Sequence, residues 1–321
     1  MNKIEILSEL IKDHHWKLAY YSLVSAVTSR GKLWSTYKFF SKRRFDNCKQ
    51  LLGDIVYNNF DDKKYEQYIS DNDKFNEVIW TMWYQGYENA PQIVKEAIDS
   101  KINNSGNHRV ILIDKNNLED FVEVPEWMRA KVDAGIISLA HLSDYVRSAL
   151  LCKYGGIWID STIFLVDRIP DDVFHKEFWS IHWDKNREWI ASYDKWSVGV
   201  LASVPHSTIM EYCYRAELNY WRKYDYPITY LLLDMFIANF YEKNMTFRKL
   251  IDGSETNNTH IFDFVEEGAP KGNRACDEFE YSRIRKDTWM FQLTYKENYI
   301  RELDGKTTYF GRIREDGLTK H

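Results

Sequence analysis

Three short apolar runs, spaced by helix-length segments, constrain this 321-residue chain more than any other feature. The first lies within Glu77–Trp83 and ends at Gln85-Gly86, the second is Arg109–Asp114 (R-V-I-L-I-D), and the third is Ile157–Asp160. Between the first two, Pro91 opens a helix at a position where its missing N–H costs little, and that helix runs towards Ser100. Asn103–Asn107, with Gly106, is a turn cluster. Pro125 opens another helical stretch, and a longer one covers about Leu139–Tyr154. Gly155-Gly156 ends it, because glycine accepts the left-handed conformation at a helix C-terminus. Strand, helix, strand at this spacing predicts an α/β sheet. Further on, Phe178–Trp183 and Val198–Ser203 read as strands, and His206–Tyr224 and Ile228–Tyr241 as helices. Asp252–Thr259 reads as loop and Thr288–Lys296 as a last strand.

The chain before this unit is patterned for helix. Ile4, Leu7, Leu10, Ile11 and His14 recur at three- and four-residue steps. More helix is expected over Leu33–Phe40 and Phe45–Tyr57, and the polar, acidic stretch Asp61–Asp73 makes a joint. The expected organisation is a helical region over 1–74 and an α/β unit over 75–321. With 12 Trp, 22 Tyr and 17 Phe, the sequence can bury a large core and lies far from disordered compositions. No segment approaches the roughly 18 consecutive apolar residues of a membrane span, and no signal peptide is visible. Four widely spaced cysteines without a C-x-x-C are expected to be reduced thiols of a cytoplasmic protein.

The net charge of −5 argues against a general nucleic-acid binder. It averages an uneven distribution. Residues 30–50 hold Arg30, Lys32, Lys38, Lys42, Arg43, Arg44 and Lys49 against Asp46 alone. With Trp34, Tyr37, Phe39 and Phe40 interleaved, this segment is expected either to touch an anionic membrane surface or to form a solvated helix face.

The chemistry concentrates in Ser143–Thr162, S-D-Y-V-R-S-A-L-L-C-K-Y-G-G-I-W-I-D-S-T. On a helix, Asp144 and Arg147 share a face. Asp160 ends an apolar strand, and Thr162 points to the same side because strand side chains alternate. Ligands of open α/β sheets bind at the carboxyl ends of strands. A carboxylate there suits a divalent cation shared with substrate phosphates, and the guanidinium fork suits phosphate or carboxylate. Taken singly, an Asp–Arg pair at this spacing is an ordinary surface ion pair worth about 0.2–0.5 kcal/mol, and an Asp at a strand end is an ordinary turn residue. Their combination in one short window is what stands out.

That window resembles the bacterial capsular polysaccharide synthesis proteins of glycosyltransferase family 32, relatives of the sugar transferases with S-D-x-x-R and D-x-D signatures that include the glycosylating clostridial toxins. Ile79–Pro91 (I-W-T-M-W-Y-Q-G-Y-E-N-A-P), Val110–Asn117, Trp196–Ser203, Tyr230–Asp234 and Leu293–Lys296 (L-T-Y-K) are similar in the same order, so the resemblance covers about Phe75–Lys296. It implies a GT-A-like fold and a retaining transfer of a hexose, galactose or glucose favoured, from a UDP-sugar. The implied acceptor is a growing, lipid-linked surface polysaccharide at the cytoplasmic face of the membrane. Trp80, Trp83 and Gln85 would line the uridine pocket, and Asp144 and Arg147 would contact the donor. Asp160, the first acid of the D-x-D, would meet metal and ribose, and Asp234 would sit near the transferred sugar. Gly156, Thr162, Trp196 and Lys296 complete the expected donor site.

Two departures mark this chain. Thr162 stands where the second acid would be, and Phe291-Gln292 precede L-T-Y-K where a His is frequent. Mn²⁺ or Mg²⁺ at Asp160 and Thr162 is therefore expected to be weakly held. Two other readings stay open: a transferase acting on protein, as in the toxins, and a nucleotide-sugar-binding protein without catalysis. No histidine pair has zinc-site spacing, and His260 is the one singled out for testing. Among the crowded Trp179, Trp183, Trp189 and Trp196, the last is the first choice as a sugar-stacking platform.

Overall fold

The computed structural model describes residues 3–53, 77–183, 185, 187–265 and 271–318. Three helices come first: α1 (Lys3–Lys12), α2 (Trp16–Arg30) and α3 (Trp34–Gly53). The two helices expected between Leu33 and Tyr57 are one, because no Gly or Pro interrupts residues 34–52. The expected joint at Asp61–Asp73 lies outside the described residues, as does the boundary at 74.

The body then alternates: β1 (Ile79–Met82), α4 (Gln92–Asn103), β2 (Val110–Ile113), α5 (Leu118–Phe121), α6 (Glu126–Asp133), α7 (Leu139–Tyr154) and β3 (Gly156–Ile159). Pro91 and Pro125 cap α4 and α6, as their sequence positions predict. β4 (Ile163–Leu165), β5 (Trp179–Ser180) and β6 (Val200–Ser203) follow, then α8 (Thr208–Lys223), α9 (Leu232–Lys243) and α10 (Met245–Asp252). Last come α11 (Glu278–Ile284), β7 (Met290–Gln292), the hairpin β8 (Glu302–Leu303) and β9 (Lys306–Thr307), and α12 (Tyr309–Leu318).

The five-stranded sheet has the order β2-β1-β3-β6-β5. β2, β1 and β3 are parallel, while β6 and β5 add antiparallel pairings. The mixed α/β class is therefore as read from the sequence. A second, antiparallel pair joins β4 to β7. Several expected elements are shorter. Of Phe178–Trp183 only β5 is strand, since His182 bridges to Asn257 and the Trp183 N–H goes to Asp194 O. Helix α9 begins at Leu232 because Pro227 and the Tyr220 hydroxyl, which donates to Tyr226 O and accepts from Ile228 N–H, hold an irregular approach. Helices α10 and α11 went unread, although Asn244 and Asp277 cap them through their side chains.

Alternation sorts the sheet into two faces. Trp80, Met82, Ile111, Ile113, Trp158 and Leu201 share one core with the helices, including Leu18, Phe45, Cys48 and Leu52 of the N-terminal region. Ile79, Ile157, Ile159, Val200 and Ala202 face a second core. All four cysteines are free thiols.

Candidate functional site

Helix α7 and strand β3 are joined by two glycines that no other residue could replace. Both have positive φ, and a Cβ would meet Pro205 Cδ at 2.6 Å from Gly155 and Val78 O at 2.4 Å from Gly156. This tight reversal lays α7 back along the sheet and brings Asp144 and Arg147 to the carboxyl end of β3. There a turn closed by Ile163 N–H to Asp160 O (2.9 Å) presents Asp160 and Thr162. From below, the enclosed Lys101 ammonium donates to Ala97 O (3.0 Å) and Ile163 O (2.6 Å). Burial pushes that amine down to about 7.

Arg147 is the hub. Its Nη2 stands 3.3 Å from Asp144 Oδ1 and 3.3 Å from Asp160 Oδ1. It also donates to the Ser143 hydroxyl and carbonyl and to Val198 O, and it lies over the Trp158 ring at 4.9 Å. Trp158, two residues before Asp160 on the same side of β3, donates its indole N–H to Asp160 Oδ1 at 2.8 Å. Gly199 leaves room behind: a Cβ there would lie 3.1 Å from Asp160 Oδ2. Asp160 is thus oriented through Oδ1, while Oδ2, beside Gly199 on a side chain that is 34% exposed, has no hydrogen-bond partner among the described residues.

Two more carboxyls crowd this charge. Asp234, at the start of α9, accepts the Trp196 indole N–H at 3.1 Å. Burial, then the charge of Asp144, pushes Asp234 up to about 7. Asp144 is likewise raised to about 7 by burial, with Arg147 opposing and Asp160 adding to the shift. Glu217 of α8 is wholly enclosed; its Oε2 accepts the Trp221 indole N–H at 3.0 Å and its Oε1 has no partner among the described residues. Burial and Asp144 hold its carboxyl well above the usual range. Tyr230 stands at the rim, its hydroxyl raised by partial burial and by Asp144 and Asp160.

The opposite rim comes from β1 and the L-T-Y-K segment. The register Trp80↔Trp158 continues to put Trp83 just beyond the level of Asp160. The Trp83 ring meets the Tyr295 ring edge-on at 5.8 Å, and its buried indole N–H finds no acceptor among the described residues. Lys296 and Gln85 are exposed.

Three expected donor contacts lie elsewhere. Trp80 is fully buried and donates its indole N–H to Gly155 O at 2.9 Å. Gly156 starts β3, four residues and about 13 Å of strand from Asp160. Its conformational freedom serves the reversal. Trp196 is 1% exposed, so it offers no stacking face and acts by holding Asp234. Trp179 stacks on Trp289, Trp183 on Phe262, and His260 pairs with Asp263 at 3.1 Å. The sequence reading missed Trp158, Glu217, Tyr230 and the part played by Gln292. For Trp158 a signal was present in its two-residue offset from Asp160, and for Glu217 in a lone acid on the inner face of an aromatic helix.

The expected metal site does not fit the donor set. Asp160 Oδ1 already faces a guanidinium and an indole N–H, and the Thr162 hydroxyl accepts the Gln292 amide at 2.7 Å. Among the described residues, no three His, Cys, Asp or Glu side chains gather to hold a metal ion. A dication here would lie beside the Arg147 guanidinium, with neutral Thr162 in place of a second acid on the turn after β3.

A family model described as capsular polysaccharide synthesis protein matches residues 34–313. The O-glycosyltransferase braB of Annulohypoxylon truncatum is 32% identical over 107 residues, 30% of this chain and 25% of that protein. The O-glycosyltransferase PaGT of Phomopsis amygdali is 30% identical over 102 residues, 29% of this chain and 25% of that protein. The match thus spans a quarter of the length of these curated relatives. Among solved structures, the PaToxG glycosyltransferase aligns with a TM-score of 0.36 and 15% identity, covering 65% of this chain and 82% of that one.

Proposed function

Because the chain belongs to the capsular polysaccharide synthesis protein family, we propose that it is a retaining glycosyltransferase with a GT-A-like donor site. In this reading it moves a hexose, galactose or glucose favoured, from a UDP-sugar to a hydroxyl of a growing, lipid-linked surface polysaccharide at the cytoplasmic membrane face. The observation that carries the reading is Asp160 at the carboxyl end of β3, oriented by Arg147 and Trp158 and open through one oxygen. The similarity to two fungal O-glycosyltransferases supports a hydroxyl acceptor.

The chemistry follows from charge. As the sugar–phosphate bond lengthens, negative charge grows on the departing nucleoside diphosphate and positive charge on the anomeric carbon. The exposed Lys296 and the Trp83 indole N–H are the donors available to the first. Asp234, in a poorly solvated position, suits the second. Asp160 orders the donor's ribose through its open oxygen. Arg147, saturated by protein acceptors, holds Asp160 in place.

The neutral Thr162–Gln292 pair supports one alternative, a nucleotide-sugar-binding protein without turnover. UDP release from UDP-galactose, UDP-glucose and their N-acetylated forms separates the two. Turnover abolished by Asp160→Ala supports the transferase. Tight UDP binding without turnover on any donor supports the binding protein, and absence of UDP binding overturns both.

A further inference from the structure

Helix α2 carries a stripe that the fold leaves uncovered. Trp16, Tyr20, Leu23 and Val27 recur at three- and four-residue steps, so they lie on one face, and each is more than half exposed. Leu18, Ala19, Ser25 and Thr28 are buried on the other side. Arg30 continues the stripe one turn on. It extends onto α3 through ring contacts: Tyr20 meets Phe40 edge-on at 5.9 Å and Phe40 meets Phe39 at 5.2 Å, with the Arg43 guanidinium over Phe39 at 5.4 Å. Leu33, Trp34 and Phe39 are also more than half exposed.

Charge surrounds this apolar face. Between Asp13 and Asp46 there are seven basic residues and no acidic one, in a chain whose net charge is −5. Not all of these charges are free of the body. Lys42 pairs with Glu188 at 2.6 Å, Lys38 lies over the Trp189 ring at 4.3 Å, and Arg44 lies over Phe45 at 4.4 Å. Lys49, just beyond Asp46, is buried against Glu242 and Tyr193 and helps fasten α3 to the body. Lys17, Arg30, Lys32 and Arg43 are exposed around the stripe.

We propose that α2 and the first half of α3 dock on an anionic lipid bilayer. A nucleic acid or an acidic protein would be met by the cations, but neither would reward exposed Leu23, Val27 and Leu33. The headgroup boundary takes aliphatic groups, interfacial Trp and Tyr, and lysine or arginine together. Among the described residues no helix is long and apolar enough to cross a membrane, so the contact is made along the helix faces. This places the contact on the exposed stripe of α2, upstream of most of the 30–50 segment. It stands independently of the sugar-transfer reading.

The test is co-sedimentation of the full chain with phosphatidylcholine vesicles and with vesicles that also contain phosphatidylglycerol. Binding is expected to the anionic vesicles and to weaken with salt. Leu23→Ser with Val27→Ser should reduce it about tenfold or more, and Arg30→Ser with Lys32→Ser several-fold. Lys42→Ala should change it little, because that charge faces Glu188. All these side chains are exposed, so the variants should fold, and unchanged melting would establish it. Equal binding to both vesicle types, or to neither, overturns the proposal. So does a dimer in light scattering that the Leu23–Val27 double variant converts to monomer, since a second copy would then cover the stripe.

Discussion

Gln292 donates its side-chain amide to the Thr162 hydroxyl at 2.7 Å, joining two positions 130 residues apart. The same amide nitrogen donates to Leu293 O at 2.8 Å, and Leu293 N–H donates to Thr162 O at 2.9 Å. The two positions at which this chain departs from the family pattern, Thr162 and Gln292, are both neutral, and they satisfy one another. UDP affinity, measured by titration calorimetry, should therefore change by less than about twofold between Mn²⁺ and EDTA, whereas Thr162→Asp with Gln292→His should gain about tenfold dependence on Mn²⁺. A tenfold response in the unaltered chain would show that Asp160 holds a metal after all.

Arg147 serves Asp160 by geometry as much as by charge. Arg147→Lys keeps the charge and loses the fork that reaches Asp144, Asp160, Ser143 and Val198 together. Turnover should fall by about 100-fold, the scale of a roughly 1 Å misplacement, with little change in melting temperature. Arg147→Met leaves buried acids without their cation and should cost about 3–5 kcal/mol. A UDP-release assay and thermal melts together separate the two effects.

Burial, then the charge of Asp144, raises the Glu217 carboxyl well above its ordinary range and so favours its neutral form. Glu217→Gln should melt close to the unaltered protein, while Glu217→Ala, which opens a cavity beside Trp221, should cost about 2–4 kcal/mol. A Gln variant as unstable as the Ala variant would mean that the site needs the charge.

Asp234 gives a pH signature. Its carboxyl is raised to about 7, against about 4 in an unfolded chain. Between these values the folded state holds the extra proton, so its contribution to stability falls as pH rises across that window and levels off above it. Asp234→Asn removes the effect while keeping an acceptor for the Trp196 N–H. The variant should melt near the unaltered chain at about pH 5 and above it at about pH 8, with turnover lost. Equal melting differences at both pH values would place the carboxyl in its ordinary range.

Local order was legible in the sequence. The apolar runs gave β1, β2 and β3, and Gly155-Gly156 gave the reversal, because strand alternation and positive φ are properties of a few neighbouring residues. The carboxylate–guanidinium cluster was legible for the same reason, with Asp144, Arg147 and Asp160 falling in one window. What escaped depends on folding at a distance. Trp80 and Trp196 have the size and chemistry of ligand platforms, yet the core encloses both. Gln292 reads as a missing histidine until β7 pairs with β4 and brings it against Thr162. The basic segment reads as one patch until Glu188 and Glu242, far along the chain, take two of its lysines.

Those lysines also bear on how the protein can be handled. Phe45, Cys48 and Leu52 of α3 belong to the same core as α7, α8 and α9, and Lys49 closes a node with Tyr193 and Glu242. Tyr193 in turn meets the Trp196 ring edge-on at 6.0 Å, one contact from Asp234. A shortened version beginning after Gly53 would bare an apolar slot along α9 and remove the support behind its acid. Purification schemes that discard the opening helices to improve solubility should yield aggregates, and detergent added to the intact chain should succeed where trimming fails.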